Sequence, residues 1–337
     1  MLKRFILPAV LLAIIGTVVY FVATVGRHFS VENKAAVSIA AAPPPPEVRM
    51  VFVGDVMLSR KIGQLIAEKE DSLFPFASTT ELLSSADIAF ANLENPVSTG
   101  GIRSGSIYSF RADPGVLERL KRAGFKAVSI ANNHIWDYGR QAFLDTLTHL
   151  SENGIAAVGG GANYDEAHTP GIFTVGKTTI AFLAYTNLLP ASLGKASSTP
   201  AVARYDDDIL RADIERAASL AEVVVVSFHW GEEYQTKHTA EQERVAHLAI
   251  DAGANLIIGH HPHVAQEVEE YNGGWIAYSL GNFVFDQNFS EDTKRGLMLL
   301  VTIRDNKITD VTKKQIAFSD DFQPYVVEPT NNRDAEI

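Results

Sequence analysis

Three histidines stand within four residues at Gly259-His260-His261-Pro262-His263, directly after the apolar run Leu256-Ile257-Ile258. Proline inside the cluster rules out a helix face, so the stretch reads as a short strand running into a turn. Neutral imidazole is the commonest metal ligand, and two of them one residue apart on a turn can address one centre or bridge two. A polar turn that merely holds histidine is the competing explanation, and the rest of the chain argues against it. Asp55, Glu94, Asn133-His134 and His229 also fall just past the C-terminal ends of short apolar runs. In an open α/β sheet with parallel strands such ends share one edge, where ligands bind. Carboxylate, amide and imidazole together make a hard-to-borderline donor set suited to Mn²⁺, Fe²⁺ or Zn²⁺.

The elements that must position these groups are legible as alternating strands and amphipathic helices. Arg49-Met50-Val51-Phe52-Val53 reads as a strand ending at Gly54-Asp55, and Leu58, Ile62, Leu65 and Ile66 form the next helix stripe. Ile88-Ala89-Phe90-Ala91 ends at Asn92-Leu93-Glu94, and Ala127-Val128-Ser129-Ile130 ends at Asn132-Asn133-His134. Between them Val116, Leu117, Leu120 and Ala123 mark a helix closed by Gly124. Phe143, Leu144, Leu147 and Leu150 mark a helix stopped at Gly154, and a further strand runs from Ile180 to Tyr185. Asp206-Asp207-Asp208 leads in a helix carrying Leu210, Ile214, Ala217, Ala218 and Ala221, its acids suited to the positive dipole end. Val223 to Phe228 is a strand buried on both sides, and Val245, Leu248, Ala249 and Ala252 form a helix capped by Gly253. Trp275 to Tyr278 is a strand, and Gly296 to Ile303 pairs with Lys307 to Phe318 around Asp305-Asn306. Beyond Phe322, at 323–337, the composition predicts a polar, fraying tail.

The 337 residues are 46% hydrophobic and 20% charged, enough to bury one large core or two smaller ones. The absence of cysteine excludes disulfides, thiolate sites, iron–sulfur clusters and a thiol nucleophile. A net charge of −11 argues against nucleic-acid binding. Residues 5–25 carry no charge and would be roughly 31 Å long as a helix, matching a bilayer core of about 30 Å. Lys3 and Arg4 place the N-terminus in the cytoplasm and the rest outside. The run exceeds a signal-peptide apolar segment, which predicts an uncleaved single-pass anchor over 1–26. Residues 27–47 are Ala- and Pro-rich and end in four prolines, a semi-rigid spacer before one domain at 48–322.

In order and spacing, six blocks carry a resemblance: Gly54-Asp55-Val56-Met57, Asn92-Leu93-Glu94, Asn132-Asn133-His134 with Asp137-Tyr138-Gly139, Phe228-His229-Trp230-Gly231, Gly259 to His263, and Tyr278-Ser279-Leu280-Gly281-Asn282-Phe283. Together they resemble the CapA poly-γ-glutamate family of the calcineurin-like metallophosphoesterase superfamily. The resemblance implies a metallophosphoesterase-like β-sandwich flanked by helices, a four-layer αββα arrangement, around one or two divalent ions. It implies Glu94 as the bridging carboxylate, Asn133, His229 and His261 on one ion, and Asp55 and His263 on the other. It implies His134, held by a carboxylate such as Asp137, as proton donor to a leaving oxygen. The superfamily pattern has Asp-x-His at the first strand where this chain has Asp55-Val56-Met57, and a thioether is a poor ligand for hard ions. The first ion is thereby weakened, absent or rescued by His260.

The resemblance further implies work with other subunits of capsule or poly-γ-glutamate synthesis, as a metal-dependent hydrolase or as a non-catalytic accessory. A generic surface metallophosphoesterase is the remaining alternative. Weaker features complete the reading. Trp230, Glu232, Glu233 and Tyr234 read as pocket or loop residues, and Asn282 and Asp286 as groups within reach of the site. Gly159-Gly160-Gly161 reads as an ordinary turn, lacking the full phosphate-loop pattern. His28, His149, His168, His238 and His247 read as solvated surface residues, and Arg103 and Arg111 as weak candidates for an anion.

Overall fold

The computed structural model describes residues 47–104, 107–190, 193 and 199–328. The expected anchor at 1–26 and the linker at 27–46 lie outside them, while Glu47 already opens the first strand. Among the described residues no helix is long and apolar enough to cross a membrane.

In chain order the strands are β1 (Glu47–Val56), β2 (Ile88–Leu93), β3 (Phe125–Ser129), β4 (Ala156–Val158), β5 (Gly160–Gly161), β6 (Gly171–Val175), β7 (Thr178–Thr186), β8 (Ala201–Val202), β9 (Val223–His229), β10 (Leu256–His260), β11 (Val268–Tyr271), β12 (Gly274–Ala277), β13 (Asn282–Val284), β14 (Arg295–Arg304), β15 (Lys307–Phe318) and β16 (Pro324–Val326). The helices are α1 (Arg60–Glu68), α2 (Thr80–Ser85), α3 (Val116–Ala123), α4 (Gly139–Glu152), α5 (Tyr164–Ala167), α6 (Asp207–Ala218) and α7 (Ala240–Asp251). One sheet runs β16-β15-β14-β1-β2-β3-β4, with β13 also against β1, and a second runs β11-β12-β10-β9-β7-β6. Strands β1 to β4 pair in parallel, as do β7, β9, β10 and β12, and strands of this kind are buried on both faces. The runs around Phe52, Val225 and Ile257 are accordingly apolar and fully buried.

The sheets face each other through aromatic side chains. Phe90 stacks on Phe182 at 5.3 Å and Phe52 tilts against the same ring at 6.3 Å, so β1 and β2 meet β7 across the core. The outer face of the second sheet is covered by Leu210, Ile214 and Ala217 of α6 and Val245, Ala246 and Ala249 of α7. Leu83 of α2 and Leu117 and Leu120 of α3 join the core of the first sheet. The helix ends follow the sequence signals. Gly124 closes α3 with φ 108°, Asp206 caps α6 by accepting from Ile209 N–H, and Thr239 and Gln242 form a capping box on α7. Asp305 and Asn306, both at positive φ, turn β14 into β15.

Three expectations are corrected. The ligand-bearing strands lie in two sheets rather than along one edge of a single sheet, because β1, β2 and β3 belong to the first and β9 and β10 to the second. Asp55 and His229 lie within β1 and β9, not past them. The chain does not fray directly after Phe322: Pro324–Val326 adds an antiparallel edge strand to β15.

The segment from Tyr278 to Asn282 stitches the two sheets together where the site forms. Asp55 N–H donates to Gly281 O at 2.9 Å, and Leu280 N–H donates to Gly259 O at 3.1 Å. Such close approach requires glycine on both sides. A Cβ on Gly54 would lie 1.9 Å from Gly281 O, and one on Gly259 would lie 1.8 Å from Tyr278 O. Backbone atoms cannot swing away as side-chain tips can. Gly259→Ala is therefore expected to destabilise the domain by at least the ~1–3 kcal/mol of core overpacking. Urea unfolding of the variant checks this, and an unchanged midpoint would show that the segment does not hold the sheets this closely.

Candidate metal centre

Asp55 and Asn92 are direct cross-strand partners on β1 and β2, and Glu94 follows Asn92 by two residues, on the same side of the strand. Asn92 Nδ2 donates to Asp55 Oδ1 at 2.8 Å and to Glu94 Oε2 at 2.5 Å, joining two fully buried carboxylates. Asn132 locks the bridge from behind: its Nδ2 donates to Asn92 Oδ1 at 3.0 Å and to Leu93 O at 2.8 Å. The Asn132 Oδ1 accepts from the backbone N–H of His134 and Ile135, which fixes the turn bearing Asn133 and His134. The other Glu94 oxygen, Oε1, is buried with no hydrogen-bond partner, 3.7 Å from His229 Nε2 and 3.9 Å from His134 Nε2.

The imidazoles arrive from the second sheet. His229 Nε2 lies 2.8 Å from Asn133 Oδ1 and 3.1 Å from His261 Nδ1. His263 Nδ1 lies 3.0 Å from Asp55 Oδ2 and 3.1 Å from Asn282 Oδ1. His260 Nδ1 is 3.3 Å from Asp55 Oδ1 but out of hydrogen-bonding line, and both its ring nitrogens are buried without a partner. His261 and His263 sit at φ 97° and 60°. Left-handed backbone is strained for such residues and concentrates at sites where the surroundings hold a group in place.

The charges are frustrated without a counter-ion. Burial raises the Asp55 carboxyl, but the neighbouring His260 and His263 imidazoles outweigh it and hold that carboxyl well below the usual carboxylate range. Burial, then the Asp55 charge, push the Glu94 carboxyl well above its usual range, and Asp137 and Glu233 add to this. Burial, with His261 beside it, drives His229 well below the ordinary imidazole value. His261 falls to about 3 through burial and His263. The site thus offers neutral imidazoles at His229 and His261 and a buried Glu94 oxygen with no hydrogen bond. A divalent cation satisfies both conditions at once, since metal ligands must be unprotonated. Among the described residues two groups have ligand atoms all within 4.8 Å of one another: Asp55, Glu94 and His229; and Glu233, His261 and His263.

His134 stands beside this cluster. Its Nδ1 lies 2.8 Å from Asp137 Oδ2, an oxygen that also accepts from Phe110 N–H at 2.8 Å. The Phe110 ring packs on the imidazole at a centroid distance of 4.2 Å. The carboxylate fixes Nδ1 as the protonated nitrogen and leaves Nε2 facing the carboxylates.

Asp55, Glu94, Asn133, His134, Asp137, His229, His261 and His263 therefore form one connected cluster, and Asn282 reaches it through His263. Other candidates do not join. Asp286 pairs with Arg60, Arg103 donates to Ile107 O, and Arg111 donates to Gly100 O and lies over the Tyr138 ring. Trp230 is a structural residue, stacked on Phe228 and donating to Tyr278 O. Met57 is fully buried, and its sulfur accepts from Ser59 N–H and Oγ–H. His168 is not a surface residue: at 3% exposure it pairs with Asp213, which also accepts from Tyr185. Sequence reasoning gave no role of their own to Asn92 and Asn132, and read Glu233 only as a pocket or loop residue. The signal for Asn92 was its position two residues before Glu94 in a strand, where both side chains share a face.

Glu94→Gln keeps the shape and removes the ionisable carboxyl whose charge burial and Asp55 oppose. In metal-free protein at neutral pH the substitution is expected to raise stability, because folding no longer has to bury that charge or protonate the group. With Mn²⁺ or Zn²⁺ present the order reverses, because the variant lacks the Glu94 ligand and gains less of the ion's binding energy than the wild type. Thermal unfolding with and without metal checks both signs, and the same sign in both conditions would contradict the reading.

Residues 49–287 match the family model described as bacterial capsule synthesis protein PGA_cap. The chain is 32% identical over 268 residues to the capsule biosynthesis protein CapA of Bacillus anthracis, covering 77% of this chain and 65% of that protein. It is 34% identical over 251 residues to the PGA biosynthesis protein CapA of Bacillus subtilis (strain 168), covering 73% of this chain and 66% of that protein. The match thus spans just under two thirds of each relative's length. Among solved structures, a putative 5′-nucleotidase from Staphylococcus aureus shares the fold with TM-score 0.53 at 13% identity, over 86% of this chain and 56% of that one. Six motif blocks, a mixed two-sheet fold and a family match across most of the described domain agree, and the chain belongs to the bacterial capsule synthesis PGA_cap family.

Proposed function

We propose that this chain is a membrane-anchored, extracytoplasmic protein of capsule or poly-γ-glutamate biosynthesis that hydrolyses a bond at a divalent-metal centre. The observation that carries the hydrolytic part is the buried Glu94 oxygen without a hydrogen-bond partner, 3.7 Å from Nε2 of His229, whose ring burial keeps neutral. The uncharged run at 5–25 behind Lys3 and Arg4 supports the anchor, and the Pro-rich 27–46 supports a domain held off the bilayer. Similarity to the two Bacillus proteins supports the polymer.

The residues divide the work. Asp55, Glu94, Asn133, His229, His261 and His263 would hold the ion or ions, with Mn²⁺, Fe²⁺ or Zn²⁺ suited to this donor set. A bound ion would supply Lewis acidity and acidify a water at neutral pH. His134 would give the leaving group a proton from Nε2 when it acts as general acid, with Asp137 on Nδ1 keeping the ring turned for that task. Asn92 and Asn132 hold the two carboxylates in register.

Turnover of phosphoester, amide and glycosidic model substrates with added Mn²⁺ or Zn²⁺ tests the proposal. His229→Ala is expected to lose both metal and activity. His134→Ala is expected to keep its metal and lose turnover by the ~10²–10⁴-fold of general acid catalysis. No turnover by the folded, metal-loaded wild type on any of the three classes would contradict it. A second reading, a non-catalytic accessory of a synthase or export complex, is favoured by Met57, whose sulfur is committed to Ser59 instead of the centre. On that reading His134→Ala still supports polymer export in cells. Loss of export in that variant would exclude it.

A further inference from the structure

We propose that Glu233 is a metal ligand, forming with His261 and His263 a second cation position on the solvent side of the centre. The proposal rests on the metal-centre reading above and deepens it. Glu233, His261 and His263 each offer an atom within 4.8 Å of the others, and this group shares no residue with Asp55, Glu94 and His229. The Nδ1 atoms of the two imidazoles are already turned inward, His261 Nδ1 to His229 and His263 Nδ1 to Asp55 and Asn282. Each ring thereby keeps its Nε2 for a separate position.

Glu233 is exposed, but the loop carrying it is not loosely placed. Tyr234 N–H donates to Pro262 O at 2.8 Å, tying the Glu233 loop to the backbone between the two histidines. Gln266 Nε2 donates to Gln235 O and Lys237 O, and its Oε1 accepts from Gln242, whose side chain fills the space beside Gly231. Gly231 and Tyr234 in one loop and His261 and His263 in the other all take positive φ. Strained backbone on both sides of one triad, cross-linked by a main-chain bond, holds the three donors toward each other.

Two imidazoles and one carboxylate form a donor set that takes Zn²⁺, Mn²⁺ or Fe²⁺ and leaves positions open for water and a substrate oxygen. Being at the solvent side, this position is the one that an incoming substrate meets first.

The full chain, stripped of metal and titrated with Mn²⁺ while free ion is read by electron paramagnetic resonance, tests the assignment. Wild type is expected to bind two equivalents. Glu233→Gln is expected to keep one and to weaken the other by more than the about 100-fold that loss of an outer-shell partner causes. Glu232→Gln removes the same charge from the neighbouring exposed position and is expected to bind two, as wild type does. Two tight equivalents in Glu233→Gln, or equal weakening by both substitutions, would overturn the proposal. Wild type binding one ion unaffected by Glu233→Gln would overturn it and leave the inner site standing. Wild type binding none would remove the metal reading as well.

Discussion

One asparagine amide holds two buried carboxylates side by side. Asn92 Nδ2 donates one hydrogen to Asp55 and the other to Glu94, and its own oxygen is held by Asn132. An amide can orient two anions but cannot neutralise them, and two like charges buried this closely oppose each other. Most of the surrounding architecture follows from that constraint. Strands β1 and β2 must keep the register that sets Asp55 opposite Asn92. The glycines at 54 and 259 must let the Tyr278–Asn282 segment pass close enough to lock the second sheet against the first. The neutral His229 and His261 rings then lie beside the carboxylate edge, where a cation would complete the balance.

The centre belongs to neither sheet alone. The first supplies oxygen donors at the ends of β1, β2 and β3, and the second supplies nitrogen donors at the ends of β9 and β10. Shared aromatic packing through Phe52, Phe90 and Phe182 makes the two sheets one rigid support, which suits ligands that must stay within tenths of an ångström. The flexible contribution comes from loops, and there the backbone is held in left-handed conformations at Tyr234, His261 and His263.

Much of this was legible in the sequence because the signals were local. The apolar runs gave the ligand-bearing strands, Gly124 and Gly253 marked helix ends, and Asp305-Asn306 marked the β14–β15 turn. The proposed ligands were recognisable by type and by position at strand ends. What the sequence could not show was non-local. Periodicity identifies strands without pairing them, so the division of the ligand strands between two sheets was invisible. Very short strands such as β5 and β8 carry no period to read. His168 looked solvated because its partner Asp213 lies 45 residues away, and Glu233 looked like a loop carboxylate because its approach to His261 and His263 depends on the folded turns.

The central claim is that the unpartnered Glu94 oxygen faces a bound divalent ion. Crystals grown with Mn²⁺ or Zn²⁺, with diffraction recorded at the absorption edge of the metal, test it most directly. The account predicts an anomalous peak about 2.0–2.2 Å from both Glu94 Oε1 and His229 Nε2. A metal-loaded crystal with no peak there, and with Glu94 Oε1 hydrogen-bonded to water or to another side chain, would contradict it.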